Sequence, residues 1–326
     1  MRIAVTGGTG YVGAHIVSAL LAAGHRVRML AEPGWVNERL SARFAELGDV
    51  TVLHGDLRDP SGLDGLLDGC EAVVHGAGVV GTDDRQARLM WEINAYATER
   101  ILHRGAELGL DPIVLVSSYS ALFPPPGPVI TPDSPTANGT SAYARTKSYA
   151  DRVARGLQDA GAPVVITYPT SVVGPALFTH PGITEQGWQP IVRLGVAPRI
   201  RGAGMQMVDV RDVADVHERI MRPGRGAHRY LCGGQLLSFD DMIAAIERGS
   251  GHRIRRIPLM PGMFRAVGRI SDRLGSVVPL GGGFSYEAAQ LMTAAIPTDD
   301  RTTRDELGVS WRSAAEAIVA SFGRSS

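Results

Sequence analysis

The chain has 326 residues, of which 44% are hydrophobic and 20% charged, a balance typical of a globular protein rather than a disordered one. Its 33 basic residues match its 33 acidic residues, which predicts no general attraction to nucleic acid or to an anionic membrane. Two cysteines and nine scattered histidines argue against a disulfide framework and against a metal site. No apolar run approaches the ~20 residues that span a bilayer, and no leader precedes Arg2, so we expect a soluble, cytoplasmic protein.

Short apolar segments alternate with helix-like segments through the first half of the chain. The predicted strands, rich in Val and Ile, are residues 2–6, 26–30, 50–54, 72–75, 113–117 and 164–168. Predicted helices at 12–23, 36–47 and 85–108 each stop just before a glycine, which is a common C-terminal signal. This alternation predicts an α/β fold with a Rossmann-type, doubly wound parallel sheet.

The regular alternation ends after Tyr168, where prolines and glycines become frequent. A strand–helix unit is predicted again at 208–221 and a strand near 229–232, followed by helices at 238–246, 264–274, 286–295 and 313–322. We therefore predict a dinucleotide-binding core at 1–168, to which 206–236 returns. A smaller, mostly helical substrate lobe would comprise 169–205 and 237–326.

A glycine-rich segment lies between the first predicted strand and the first predicted helix. Glycines at 7, 10 and 13 permit a tight turn, close approach of a pyrophosphate and close contact of helix and sheet. The bound anion would lie on the amides at the positive end of the helix. The residues expected to contact the dinucleotide here are Gly7, Thr9, Gly10, Tyr11, Val12 and Gly13.

Three strand ends add candidate cofactor contacts. The second strand ends in Ala31-Glu32, and a carboxylate there repels a 2′-phosphate, so NAD is slightly favoured over NADP. Asp56 and Leu57 suit an adenine edge after the third strand. Gly76, Ala77 and Gly78 leave room for the ribose and pyrophosphate after the fourth.

Tyr143 and Lys147 are four residues apart, which places them on one face of a helix. Lys147 is the one lysine in a chain whose other basic residues are all arginine. A free tyrosine has a pKa of about 10, and an adjacent ammonium favours its phenolate. Ser118, at a predicted strand end, would hydrogen-bond a substrate oxygen, with Ser117 or Ser120 as alternatives. These residue types suit hydride transfer at a carbinol carbon.

Together these segments resemble the extended short-chain dehydrogenase/reductases, the NAD(P)-dependent epimerase/dehydratase family. The resemblance covers nearly the whole chain and includes the segments 168–175 and 208–214. It implies a catalytic triad of Ser118, Tyr143 and Lys147, with Tyr143 and Lys147 also contacting the cofactor. It also implies that Pro169, Thr170 and Val172 pack on the nicotinamide, and that a homodimer forms through the helices at 85–108 and 143–158.

Three functions remain open from the sequence. The segment 176–206 carries apolar residues including Trp188, Ile191 and Val192, which is more similar to the dihydroflavonol reductase and hydroxysteroid dehydrogenase branch. This favours an oxidoreductase acting on a small, fairly apolar substrate. A nucleotide-sugar epimerase or dehydratase with tightly bound NAD is the alternative, because Arg193, Arg199, Arg201 and Arg211 are available to bind a diphosphate. The third possibility is a non-catalytic NAD(P)-binding sensor.

Two acidic residues lie near position 210. Asp209 and Asp212 stand at a predicted strand-to-helix junction, where Asp212 is expected to cap the helix. His75 is interpreted as a buried strand-end residue rather than as a proton donor.

Overall fold

Twelve strands form three sheets in the computed structural model, which describes residues 1–32, 34, 38–81, 86–274 and 286–323. In chain order they are β1 (Arg2–Thr6), β2 (Arg26–Ala31), β3 (Val50–His54), β4 (Ala72–His75), β5 (Ile113–Val116), β6 (Val164–Pro169), β7 (Ser171–Val173), β8 (Val196–Arg199), β9 (Gly204–Asp209), β10 (His228–Cys232), β11 (Gln235–Ser238) and β12 (Arg255–Pro258). The main sheet has the order β3-β2-β1-β4-β5-β6-β10, and all of its pairs are parallel. The predicted doubly wound sheet is confirmed.

Helices cover both faces of the main sheet and build most of the second half. They are α1 (Tyr11–Ala22), α2 (Glu38–Leu47), α3 (Pro60–Leu67), α4 (Ala87–Met90), α5 (Thr98–Glu107), α6 (Ala142–Asp159), α7 (Ile183–Gln186), α8 (Gln189–Leu194), α9 (Val210–Arg219), α10 (Phe239–Ser250), α11 (Pro261–Leu274), α12 (Tyr286–Ala294), α13 (Arg301–Leu307) and α14 (Ala314–Ala320). A π-helical stretch, Trp91–Ala97, joins α4 to α5. The predicted helix starts at 36 and 85 fall outside the described residues.

Alternating residues of the main sheet supply two separate cores. Val5 on one face packs in a cluster with Val17 of α1, whereas Ala4 on the other face packs with Ile101 of α5. Every residue of β4 and of β6 is buried. Burial on both faces explains why these strands are apolar at nearly every position rather than at alternate positions.

The second half returns to the main sheet only in part. Within 206–236, α9 packs on α1 and β10 pairs with β6. In contrast, β9 lies in a small sheet of order β11-β9-β7, and β12 pairs with β8 in a two-stranded ribbon. A third core lies under these smaller sheets and includes Trp188, which stacks on Phe322 with 6.4 Å between ring centroids.

Within the described residues, none of the helices has the length and apolar character needed to cross a bilayer.

Candidate active site

The strand order changes direction between β1 and β4, and the glycine-rich segment lies at this point. In open α/β sheets, ligands bind outside the carboxyl ends of the strands where the order reverses. A small cleft opens here, lined by residues in or next to β1, α1, β4 and β5 that include Thr6, Val12, Gly13, Gly76 and Val116. Val12 and Gly13 thus form part of the wall of this cleft.

Two of the three glycines are required by close backbone approach. Gly7 has φ +76°, and a Cβ built on it would lie 2.6 Å from the backbone nitrogen of Ala77. A Cβ on Gly13 would lie 2.0 Å from the carbonyl oxygen of Gly7. Gly10 is the N-cap of α1, and neither a capping side chain nor a first-turn acid competes for the helix amides. These amides therefore suit an anion. Gly10 and the half-buried Thr9 stand at this end of α1, where the pyrophosphate is expected.

Tyr11 connects the glycine-rich segment to the second half of the chain. Its hydroxyl lies 2.9 Å from the carbonyl oxygen of Gly174 and 2.9 Å from Oε1 of Glu185. Glu185 is buried and also accepts hydrogen bonds from Ser321 and from the amides of Gly174 and Gly182. The side chain of Tyr11 is therefore used between the two halves of the chain, and sequence spacing offered no signal for Glu185.

The segment after β4 is fixed by Asn94 of the π-helical stretch. The side chain of Asn94 accepts from the amide of Val79 at 2.7 Å and donates to its carbonyl at 2.8 Å. Gly76 stands against the carbonyl of Thr6, and the amide of Ala77 donates to the hydroxyl of Thr6. Gly78 leaves space for Asn94 and Lys147, because a Cβ on Gly78 would lie 3.3 Å from Asn94 Oδ1 and 3.7 Å from Lys147 Nζ.

His75, at the end of β4, is a structural residue. Its ring nitrogens lie 2.7 Å from the hydroxyl of Thr6 and 2.8 Å from the hydroxyl of Thr98. Burial, with a smaller contribution from the Lys147 ammonium, lowers the pKa of His75 to about 3. The ring is therefore neutral at physiological pH, and the interpretation as a buried strand-end residue is confirmed.

The other predicted cofactor contacts lie at the ends of β2 and β3. Glu32 is exposed. The carboxylate of Asp56 binds the guanidinium of Arg58, whose hydrogen bonds hold the pKa of Asp56 below its usual range. The carbonyl of Leu57 accepts a hydrogen bond from Arg100 at 3.2 Å. The side chain of Asp56 is thus already paired, which the sequence spacing did not predict.

The three predicted catalytic residues come together at the carboxyl end of β5. Ser118 caps the short 3-10 turn Tyr119–Leu122, and its oxygen accepts from the amide of Ser120 at 3.2 Å and from the Ser120 hydroxyl at 3.0 Å. Both serine side chains lie near enough to the phenol of Tyr143, in the first turn of α6, to lower its pKa. Ser117 is buried, and its hydroxyl has no partner within the described residues.

Lys147 follows one turn later on the same face of α6. Its ammonium lies 6.0 Å from the centroid of the Tyr143 ring and donates to the carbonyl of Val116 at 3.4 Å. Burial lowers the pKa of Lys147 to about 8. A buried ammonium with a backbone carbonyl as a partner retains donor capacity for further oxygen acceptors.

The electrostatics of Tyr143 differ from the expectation. Burial raises the pKa of the Tyr143 phenol, the hydrogen bonds from Ser118 and Ser120 oppose the rise, and the carboxylate of Glu287 adds to it. The net shift of this pKa is upward and not downward as predicted, because the loss of hydration outweighs the favourable interactions. In the cofactor-free protein the phenol is therefore protonated at neutral pH.

The predicted nicotinamide contacts Pro169, Thr170 and Val172 lie between the end of β6 and β7. Pro169 is the buried last residue of β6, and Val172 lies in β7. The hydroxyl of Thr170 donates to the carbonyl of Gly233 at 2.9 Å, and its amide donates to the carbonyl of Cys232. The polar groups of Thr170 are thus occupied by the end of β10.

Several residues expected to line the substrate pocket have other roles. Trp188 is buried in the third core, and Ile191 and Val192 pack against that core. Arg199 is bound to Asp240 at 2.9 Å, and Arg211 is bound to Asp209. The prediction that Asp212 caps α9 is wrong. Asp209 is the N-cap, whereas Asp212 accepts hydrogen bonds from Arg312, which is 100 residues away in the sequence.

Residues 3–233 match the profile of the NAD dependent epimerase/dehydratase family. The chain belongs to this family. Its enzymes are NAD-dependent, so the expected family, an enzymatic role and a nicotinamide cofactor with NAD favoured are confirmed.

Several known proteins resemble the chain over most of its length. "Sterol demethylase protein B" of Methylococcus capsulatus is 27% identical over 319 residues, which is 95% of this chain and 93% of that protein. UDP-glucose 4-epimerase of Halalkalibacterium halodurans is 31% identical over 287 residues, covering 78% and 82%. The crystal structure of UDP-glucose 4-epimerase from Bifidobacterium longum in complex with NAD+ and UDP has a TM-score of 0.74 at 18% identity, covering 99% and 97% of the two chains. That last likeness concerns the fold alone.

The site of this family member fits a dinucleotide. The helix amides of α1 lack a competing cap, the glycines bring the backbone to the cleft, and Lys147 keeps its ammonium buried beside that cleft. The residues that would hold the cofactor are Gly10, Val12 and Gly13 at the pyrophosphate and Lys147 at the nicotinamide end.

Proposed function

We propose that the chain transfers hydride between NAD and the carbonyl or secondary alcohol carbon of a small, fairly apolar substrate. The observation that carries this proposal is the convergence of Ser118, Ser120 and Lys147 around the Tyr143 phenol, beside the cleft at the strand-order reversal. When bound, the nicotinamide supplies or accepts the hydride. Every other task falls to side chains of this chain.

Tyr143 is proposed as the acid and base at the substrate oxygen. In the reduction direction its phenol donates a proton to the carbonyl oxygen, and the raised pKa keeps that proton available at neutral pH. Ser118 and Ser120 hold the phenol oxygen and would stabilise negative charge developing on the substrate oxygen. Lys147, whose ammonium is held at the carbonyl of Val116, would bind the ribose hydroxyls of the nicotinamide.

An apolar substrate is favoured by where the arginines lie. A nucleotide sugar carries a diphosphate, which arginines bind in bidentate geometry. Of the four arginines considered for this role, Arg199 and Arg211 are already paired with aspartates, and Arg193 and Arg201 are exposed. The carboxylate of Glu287 raises the pKa of Tyr143, and a negative charge acting there would repel a diphosphate.

The second candidate is a nucleotide-sugar epimerase, which is favoured by the 31% identity to a UDP-glucose 4-epimerase. The two functions differ in whether NADH is consumed. The experiment first titrates the protein with NADH and NADPH by fluorescence, and then follows absorbance with a panel of hydrophobic ketones and with UDP-glucose. Net oxidation of NADH by a ketone supports the proposal. Sugar turnover at constant absorbance supports the epimerase, and cofactor binding without either supports a sensor.

A further inference from the structure

One segment departs from the neutral charge of the whole chain. Residues 248–271 contain six arginines and one histidine but no aspartate or glutamate, although the chain has 33 basic and 33 acidic residues. The segment covers the end of α10, all of β12 and most of α11. Positive charge is therefore concentrated in one region that overall composition did not reveal.

The same segment exposes large apolar side chains on α11. Met263, Val267 and Ile270 follow the spacing of one helix face and are 55%, 50% and 54% exposed. We call these three residues the α11 face. Phe264, on a different side of the helix, is buried in the third core and fixes α11 to the protein. The described part of α11 thus has two apolar sides, of which one packs on the third core and the other is about half exposed.

The two-stranded ribbon of β8 and β12 also exposes apolar and basic side chains. Arg255 and Ile257 are two residues apart in β12 and therefore lie on one side of the strand. They pair with Val196 and Pro198 of β8, and Val196, Arg255 and Ile257 are exposed. Met260, between the ribbon and α11, is also exposed. Apolar and basic side chains are therefore both exposed along the chain from β12 into the start of α11.

Some of the arginines there have acidic partners among the described residues, and others have none among them. Arg256 binds Glu247 at 3.0 Å, and Arg248 binds Glu316 at 2.9 Å. Arg255 and Arg265 are exposed, and no carboxylate of the described residues lies within salt-bridge distance of either. By the helix period, Arg265 lies on the side of α11 opposite the α11 face, and basic residues on one side with apolar residues on the other are typical of helices that lie in the interface of an anionic membrane.

The α11 face is also close to the candidate active site. Glu287, in the first turn of α12, accepts a hydrogen bond from the amide of Ser141 at 2.7 Å, two residues before Tyr143. Helix α12 in turn packs on α11. Arg269 of α11 donates a hydrogen bond to the hydroxyl of Tyr286 of α12 at 2.8 Å. One helix therefore separates the α11 face from the helix start that carries Tyr143.

We propose that the α11 face and the arginines around it form a docking surface for an anionic lipid bilayer. The helix would lie in the plane of the interface, with Met263, Val267 and Ile270 against the acyl chains and Arg255 and Arg265 at the headgroups. The contact is peripheral and goes beyond the proposed function. It places the substrate cleft one helix from a source of apolar molecules.

The test is sedimentation of the full chain with vesicles, without cofactor or substrate. Vesicles of phosphatidylcholine with about 30% phosphatidylglycerol should bind the protein more tightly than phosphatidylcholine alone, and salt should weaken the binding. The double variant Val267→Ser/Ile270→Ser should bind at least about tenfold more weakly, because apolar area is lost from the contact. Arg255→Gln and Arg265→Gln should each weaken binding by about fivefold.

The matched control is Leu108→Ser/Leu236→Ser, which removes two exposed leucines from other surfaces and should bind like the wild type. The proposal is overturned if the wild type does not bind, if neutral and anionic vesicles bind equally, or if Val267→Ser/Ile270→Ser binds as well as the control. It is also overturned if the double variant dissociates a dimer while the wild type ignores vesicles, because the α11 face would then join two copies. Since no turnover is measured, failure here leaves the proposed function unaffected.

Discussion

The hydroxyl of Tyr11 lies 2.9 Å from Oε1 of Glu185, and this contact joins the start of α1 to a residue 174 positions later. Glu185 is buried, and burial raises the pKa of its carboxyl, which four hydrogen-bond donors counteract. Gly182 lies against the Tyr11 ring, where a Cβ would approach to 2.8 Å. His15, one turn further along α1, lies 2.9 Å from the carbonyl of Pro175. These hydrogen bonds therefore connect the start of α1 to residues 174–185 of the second half of the chain.

Replacing Tyr11 by phenylalanine keeps the ring beside Gly182 but removes the hydroxyl. We expect the free energy of unfolding to fall by about 1–3 kcal/mol, because the buried carboxylate of Glu185 and the carbonyl of Gly174 lose the one hydroxyl donor that they share. Chemical denaturation monitored by circular dichroism measures this. Tyr149→Phe is the matched control, since Tyr149 donates to Glu99 at 2.8 Å near the surface. A loss no larger than that of the control would show that the Tyr11–Glu185 contact contributes little.

Replacing Tyr143 by phenylalanine tests its proposed role in proton transfer. Turnover should fall by about 10²–10⁴-fold, while the dissociation constant for NADH stays within about twofold, because the phenol oxygen acts at the reacting carbon. Steady-state kinetics and a fluorescence titration provide the two numbers. Retained turnover would remove Tyr143 from the mechanism, and loss of NADH binding would indicate a structural role.

Replacing Lys147 by methionine should stabilise the cofactor-free protein at pH 7. The pKa of Lys147 is about 8 in the folded protein against 10.5 for the free side chain, so folding opposes its charge. Below pH 8 both states are charged and the full cost of burying the ammonium is present, on the order of 1–3 kcal/mol after the bond to Val116 is lost. As pH rises from 8 to 10.5 the folded lysine gives up its proton and the cost disappears.

The measurement is the free energy of unfolding of wild type and Lys147→Met across this pH range. The difference between the two proteins should shrink between pH 8 and 10.5. Lys147→Arg is the control, because a guanidinium cannot release its proton in this range and its cost should remain. A pH-independent difference would contradict the lowered pKa.

The predicted homodimer has a candidate contact surface on its two long helical segments. Trp91, Tyr96 and Tyr149 form an aromatic group with ring centroids 5.8–6.1 Å apart, and Tyr96 is 46% exposed. If the family's helix pairing holds here, Tyr96→Asp should convert a dimer into a monomer in light scattering at micromolar concentration. Leu236→Asp, at an exposed position outside both segments, should leave the mass unchanged. A monomeric wild type would refute the dimer.

Local features of the site were predictable because their geometry is set over a few residues. The Tyr143–Lys147 spacing placed both side chains on one helix face, and the glycines at 7, 10 and 13 placed a tight turn after β1. The six strands of the first half appear where their apolar runs predicted, since a strand buried on both faces must be apolar at nearly every position.

The partners of several polar groups could be identified only in the tertiary structure, because those partners lie far away in the sequence. Asp209 rather than Asp212 caps α9, since Arg312 binds Asp212 from 100 residues away. Trp188 is a core residue because Phe322 stacks on it, and Tyr143 has a raised pKa because its burial outweighs its neighbours. Helix period and turn chemistry depend on adjacent residues, whereas burial and long-range pairing exist only once the chain has closed on itself.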